Sequence, residues 1–213
     1  MLHQLPDNQL DNESLLAGVS LLSEADPDLK RVVILYGVPP LWSREPGFST
    51  LVHIILEQQV SLASAKAAFT KLNEVAENDL TPKRFLEFSE PTLKDFGFSR
   101  QKTHYCQELS KAILRRDLDL DKLHKLNNAG VQRELTKIKG IGEWTSGIYL
   151  LMALMRPDVW PSGDLALKKS IRNIKNLPET PSTEQCDEIA LQWKPLRAVA
   201  ARIIWHHYLS NPL

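Results

Sequence analysis

Apolar residues return at intervals of three and four along almost the whole chain, and almost nowhere do they alternate with polar ones. Phe48, Leu51, Val52 and Ile55 form one such set, and Leu62, Ala65, Phe69 and Leu72 the next. Residues three and four apart share a helix face, so this spacing prescribes amphipathic helices and leaves nothing from which to build a sheet. Proline and glycine cut the pattern into short pieces at Pro39-Pro40, Glu45-Pro46-Gly47, Thr81-Pro82, Glu90-Pro91, Gly97, Gly140, Pro157 to Gly163, Pro178 and Pro181. The expected fold is therefore all-α, with about ten short helices. We expect residues 1–213 to form a single unit of two interleaved helical lobes. Trp193 to Leu209, with Pro195 placed to start it, reads as a closing helix that packs through Leu196, Val199 and Ile203.

With 213 residues, 43% of them hydrophobic, the chain can bury a sizeable core. No apolar run approaches the roughly 18 residues needed to span a bilayer, and the polar start, Met1 to Leu10, lacks an apolar signal core. A cytoplasmic protein is expected, nucleoid-associated if bacterial, with no membrane partner. The two cysteines, Cys106 and Cys186, fit no metal-ligand spacing, so neither an iron-sulfur cluster nor a disulfide framework is expected. The acids and bases balance, 26 against 26, which at first argues against a polyanionic partner. Their distribution alters that. The first 28 residues carry six acids and no Lys or Arg, leaving 20 acids against 26 bases in the remainder. The bases cluster at Arg100, Lys102, Lys111, Arg115 and Arg116, and again at Lys168, Lys169, Arg172 and Lys175.

The most informative stretch is Leu135-Thr136-Lys137-Ile138-Lys139-Gly140-Ile141-Gly142-Glu143-Trp144-Thr145, followed by a helical run from Ser146 to Met155. Gly140 and Gly142 bracket one apolar residue, a spacing that lets the backbone take positive φ and approach another molecule closely while Ile141 plugs the turn into the core. The amides that open the next helix point outward, and such a group binds phosphate without lysines. Ile141, Trp144, Ile148, Leu151 and Met155 would bury one face of that helix. Taken alone, Gly-x-Gly is more often a plain turn. Nine residues after Met155, the segment Arg156 to Gly163 delivers Asp164 to another helix entrance. Aspartate there is a common N-cap, and by itself it indicates no more than that.

Together the two segments resemble the hairpin, Gly/Pro loop and aspartate of the helix-hairpin-helix DNA glycosylases. Upstream, Phe48 to Ser61, which ends in Gln58-Gln59-Val60-Ser61, resembles the early helix of that family, and Phe96 to Lys102 resembles its middle turn. The likeness runs over roughly residues 37 to 209 and is nearest to the methyladenine DNA glycosylase II type. The chain looks too short for the extra N-terminal domain found in some of those proteins.

The resemblance implies an enzyme that flips a damaged nucleotide out of double-stranded DNA and hydrolyses its glycosidic bond. It places the hairpin at about 131–155 and the catalytic loop at 156–164. Asp164 is the implied catalytic carboxylate. DNA contacts fall to Gln58, Gln59, Gly140, Ile141, Gly142, Thr145 and Lys168, with Gln59 as the plug for the emptied stack. No cofactor is required, although a sodium or potassium ion on the carbonyls of Thr136, Ile138 and Ile141 is implied. Bifunctional relatives carry a lysine where this chain has Trp144, which implies a monofunctional enzyme without strand cleavage. An electron-rich pocket suits a cationic alkylated purine, and its candidates are Trp144, Tyr149, Trp42 and Trp160. Two alternatives stand beside this reading: a glycosylase for uracil, a mismatched or an oxidised base, and a non-catalytic DNA-binding module. A monomer is expected.

Overall fold

The computed structural model describes residues 9–211. The described residues contain thirteen α-helices and one 3-10 turn, joined by loops, and no strand, so the all-α expectation holds. The excess over ten helices lies in pieces too short for a 3.6-residue period to register, such as Pro82–Glu87, Glu90–Asp95 and Leu120–Leu123. Among the described residues no helix is long and apolar enough to cross a membrane.

The chain divides into two compact units. One comprises the chain up to Ser43 together with everything from Leu150 onward; the other is Arg44–Tyr149. The first unit holds α1 (Asn12–Ala25) and α2 (Pro27–Tyr36), and the second begins with α3 (Phe48–Glu57) and α4 (Leu62–Val75). Then come α5 (Pro82–Glu87), α6 (Glu90–Asp95), α7 (Arg100–Leu114), α8 (Leu120–Leu123) and α9 (Asn128–Thr136). The boundary falls inside α10 (Glu143–Met152), and the first unit resumes with α11 (Leu165–Ile174), α12 (Thr183–Ala190) and α13 (Arg197–Ser210).

In the second unit α3 packs on α4 and α7, and α7 also packs on α5 and α6. Phe85 is fully buried there, between Phe48 and Phe98. The first unit is organised around α13, which packs on α1, α2 and α11. Leu196, Val199 and Ile203 are buried as expected, and burial extends to every residue from Ala198 to Trp205, so this stretch of α13 is core on all sides rather than along the expected positions alone. It starts at Arg197, two residues after Pro195, whose peptide bond with Lys194 is cis.

Buried Arg202 holds this core together: its guanidinium donates to the carbonyls of Leu41, Leu151 and Ala198 at 2.8, 2.8 and 3.0 Å. Burial lowers its pKa to about 10. The acids of the N-terminal segment also have structural work. Asp11 and Asp26 cap α1 and α2, while Asp26 accepts from the Trp193 indole at 2.9 Å and, with Asp28, from Lys175 at 3.3 and 3.2 Å. Lys175, read from the sequence as part of a basic patch, is thus committed to these carboxylates.

Candidate nucleic-acid interface and catalytic carboxylate

The hairpin lies in the Arg44–Tyr149 unit. After α9 the chain turns through hydrogen bonds from Ile138 N–H to the Leu135 carbonyl (3.1 Å) and from Ile141 N–H to the Ile138 carbonyl (3.0 Å). Gly140 sits at φ +92°, where a side chain is disfavoured, and a Cβ built there would fall 2.1 Å from Cγ of Tyr105. Gly140 is therefore required by both its backbone and its neighbour. Gly142 differs from expectation, since it is not among the positive-φ residues, and a Cβ there would meet no protein atom within 4 Å. Its openness faces outward, where an external molecule could approach. Ile141 is 3% exposed and plugs the turn. Behind it α10 begins at Glu143, and the first-turn amides of a helix have no acceptor within it.

The expected helical run to Met155 stops at Met152. Arg156 N–H returns to the Leu150 carbonyl at 3.0 Å, and Met155 takes a left-handed conformation with φ +53°. From Thr145 to Leu151 every residue is buried, a wider face than the expected stripe.

Two of the predicted DNA contacts, Gln58 and Thr145, are engaged in hydrogen bonds within the unit. Gln58 Nε2 donates to the Gly140 carbonyl at 2.8 Å and to Thr145 Oγ1 at 2.9 Å, so both the Gln58 amide and the Thr145 hydroxyl are spent on the hairpin. Thr145 is 2% exposed, which leaves its main chain as the part that could meet a ligand. Gln59, by contrast, is exposed at a left-handed turn with φ +57°. A cleft of about 480 Å³ is lined by Gln58, Gln59, Lys102, Tyr105 and the hairpin from Thr136 to Gly142. Lys102 reaches into its wall and donates to the Leu56 carbonyl at 2.7 Å, and desolvation lowers its pKa.

The carbonyl set expected to hold a monovalent cation is Thr136, Ile138 and Ile141. Neutral oxygens suit a weakly charged, hard ion. The Ile138 carbonyl already accepts the Ile141 amide, which leaves it one lone pair, enough for one contact. The donor chemistry fits.

Asp164 lies in the other unit. Trp160 to Gly163 bring the chain to it through turns closed by Ser162 N–H on the Trp160 carbonyl and Asp164 N–H on the Pro161 carbonyl, with Gly163 at φ +80°. The half-buried Asp164 caps α11: its Oδ1 accepts from Leu167 N–H at 2.9 Å, as an N-cap should. The same oxygen also accepts from the indole of Trp205 on α13 at 3.1 Å. A cap needs no second donor, and this one fixes the carboxylate in place. The loop is held from its other side by Asp187 on α12, which accepts from Trp160 Nε1 at 3.0 Å and from Ser162 Oγ at 2.7 Å.

The aromatic candidates separate. Tyr149 is a core residue rather than a pocket wall: it is fully buried, its hydroxyl accepts from Gly47 N–H at 3.0 Å, and burial pushes its pKa up to about 12. Trp160 is turned onto Trp193, at 5.6 Å between ring centroids, and onto Asp187. Trp42 and Trp144 are half-buried. Trp42 sits at φ +50° with its ring edge against His206 at 6.3 Å. Lys168, expected on DNA, lies one turn beyond Asp164 with Nζ 3.4 Å from Thr183 Oγ1. Cys106 and Cys186 are buried free thiols in different units, pushed up to about 11 at Cys186 by desolvation and further at Cys106.

Sequence reasoning missed Trp205, Asp187 and Tyr105. Trp205 carried a faint signal, an indole on a closing helix. Asp187 carried none, because it meets Ser162 across 25 residues of sequence.

Comparison with known proteins agrees with this arrangement. The DNA-3-methyladenine glycosylase 1 of Schizosaccharomyces pombe is 27% identical over 86% of this chain and 83% of its own length. The alkylbase DNA glycosidase-like protein mag2 of the same yeast is 28% identical over 74% and 76%. The solved structure of the S. pombe 3-methyladenine DNA glycosylase Mag1 in complex with abasic DNA superposes with a TM-score of 0.84 at 26% identity, covering 92% of this chain and 97% of that one. Residues 52–196 match the family model itself, and the chain belongs to the HhH-GPD superfamily of base excision DNA repair proteins.

Proposed function

We propose that this protein is a monofunctional DNA glycosylase that removes alkylated purines from duplex DNA, acting as a monomer. The observation that carries the reading is the double hold on Asp164 Oδ1 by the Leu167 amide and the Trp205 indole, at a loop braced by Asp187. The names of the S. pombe relatives support the substrate class.

The division of labour follows from the residues. The hairpin main chain from Gly140 to Thr145 grips a phosphate, and its carbonyls at Thr136, Ile138 and Ile141 would hold a sodium or potassium ion that adds positive charge beside that phosphate. Gln59 fills the stack that the flipped nucleotide leaves. As the bond from C1′ to the purine nitrogen breaks, its electron pair leaves with the base and neutralises the positive charge of the alkylated purine ring, and positive charge develops on the sugar. The Asp164 carboxylate stabilises that charge; water then adds to C1′ and loses a proton. A cationic base is a good leaving group and needs little acid catalysis. Trp144, a half-buried indole of the Arg44–Tyr149 unit, offers an electron-rich face for a cation–π contact, worth about 0.5–2 kcal/mol. No lysine occupies the Trp144 position, and Lys137 is paired with Glu134 at 2.6 Å.

The test is chromatography of bases released from methylated duplex DNA, with strands analysed before and after alkali. Release of methylated purines with nicks appearing only after alkali is expected. Nicks before alkali, with a borohydride-trapped adduct, would contradict the monofunctional assignment. Binding without release of any base would leave only a DNA-binding module.

A further inference from the structure

The turn that carries Gln59 is anchored at each of the three residues before it. The Leu56 carbonyl accepts from Lys102 Nζ at 2.7 Å. The Glu57 carboxylate, 7% exposed, takes a two-pronged contact from Arg44 at 2.6 and 3.1 Å. The Gln58 amide bridges the Gly140 carbonyl and Thr145 Oγ1. Immediately after these anchors, Gln59 is exposed and left-handed. Such a turn is a preformed shape, and ordering that is complete before binding need not be paid for on binding.

Of the three anchors, Gln58 alone joins the turn to the hairpin, and it does so through both ends of the phosphate-gripping segment. Gly140 is at the same time pressed against Tyr105, so the hairpin cannot shift toward α7 to loosen the contact. We propose that Gln58 is a positioning residue that locks the Gln59 turn to the hairpin, so that capture of a phosphate by the hairpin also fixes where Gln59 enters the duplex. The inference rests on the reading of the chain as a base-flipping glycosylase, and it assigns Gln58 no contact with DNA.

Gln58→Glu keeps the shape but replaces the donor with an oxygen that faces the Gly140 carbonyl. The probe is a duplex containing a tetrahydrofuran abasic analogue flanked by 2-aminopurine, whose fluorescence reports insertion into the stack. Wild type is expected to give a fluorescence change. Gln58→Glu is expected to lower the inserted fraction about tenfold, the scale of one lost buried hydrogen bond, with a smaller fall in undamaged-duplex affinity and a loss of only a few degrees in Tm. Thr145→Val should cause the same loss, Thr145→Ser should restore insertion, and the Gln58→Glu/Thr145→Val double variant should be no worse than either single one.

Additive losses would show Gln58 touching DNA on its own and overturn the proposal. Parallel falls in Tm, undamaged-DNA affinity and insertion would reduce it to general stability and overturn it as well. Amide hydrogen exchange over Gly140–Thr145 in the DNA-free protein reads the lock without reference to damage. Faster exchange in Gln58→Glu is expected, and unchanged exchange defeats the proposal even where base release is intact. A wild type that never perturbs the 2-aminopurine would instead defeat the flipping mechanism, leaving the exchange measurement to decide the lock.

Discussion

The hairpin and the Asp164 loop do opposite things with their side chains. At the hairpin the groups offered to a ligand are main-chain amides and carbonyls, and the side chains around them, Gln58, Thr145, Ile141 and Tyr105, serve to hold that main chain in shape. At the loop the offered group is one carboxylate, and main chain and side chains alike (the Leu167 amide, the Trp205 indole, the Asp187 bracket) serve to aim it. A backbone grip can be broken only by deforming the backbone. A carboxylate can be removed while its surroundings stay intact. Binding and chemistry should therefore come apart under mutation, one unit at a time.

The largest effect on binding should come from Gly140→Ala. The new Cβ would overlap Tyr105 and the residue would have to hold φ +92°, at a cost of roughly 3 kcal/mol in stability. We expect DNA affinity in a gel-shift titration to fall along with base release; an unaltered affinity would mean that the hairpin is not the grip. Next is Trp205→Phe, which keeps an aromatic ring and deletes the donor to Asp164. It should slow single-turnover base release about 10- to 100-fold while leaving the Kd for DNA unchanged, because a hydrogen bond to a charged group is worth about 1.5–3 kcal/mol. Equal losses in rate and affinity would erase the contrast between the two regions. Tyr149→Phe should cost about 1 kcal/mol in thermal denaturation, through the Gly47 amide it leaves without its partner, and leave base release untouched. A change in lesion preference would return Tyr149 to the pocket.

The smallest effect is one of pH. Each unit has a histidine whose pKa burial holds below 6.5: His53, stacked on Phe69 in one, and His207, bonded to Ser170 in the other. The unfolded chain binds these protons more readily than the folded one, so stability is full above about pH 6.5 and is lost as the pH falls through that value toward the lower folded pKa values. His53→Gln and His207→Gln should each flatten part of that slope in Tm between pH 8 and 5. A slope unchanged by both would locate the acid sensitivity elsewhere.

What could be read from the sequence follows the range of the interactions. Helix period, the Gly140 turn and the Asp164 cap are local, each settled within a few residues, and the α11 start at Leu165 falls where the sequence places it. Long-range commitments were invisible. Gln58 is a surface polar residue until Gly140 arrives 82 positions later, and Trp205 is one more core aromatic until Asp164 is folded beneath it. Tyr149 shows the same limit in reverse: its type fitted a pocket, and only the Gly47 amide reveals a core hydroxyl. The burial of α13 on every side from Ala198 to Trp205 was not legible, because a stretch apolar on nearly every side has no face for a period to mark.

The measurement that bears most directly on the central claim is single-turnover release of methylated purine by wild type and Asp164→Asn, with DNA affinity measured on the same preparations. Asparagine caps helices as well as aspartate does, so the fold and the Kd should persist while the rate falls by about 100-fold or more, the scale of one lost electrostatic stabiliser. Release by Asp164→Asn at the wild-type rate would remove Asp164 from the chemistry and reduce it to the N-cap of α11.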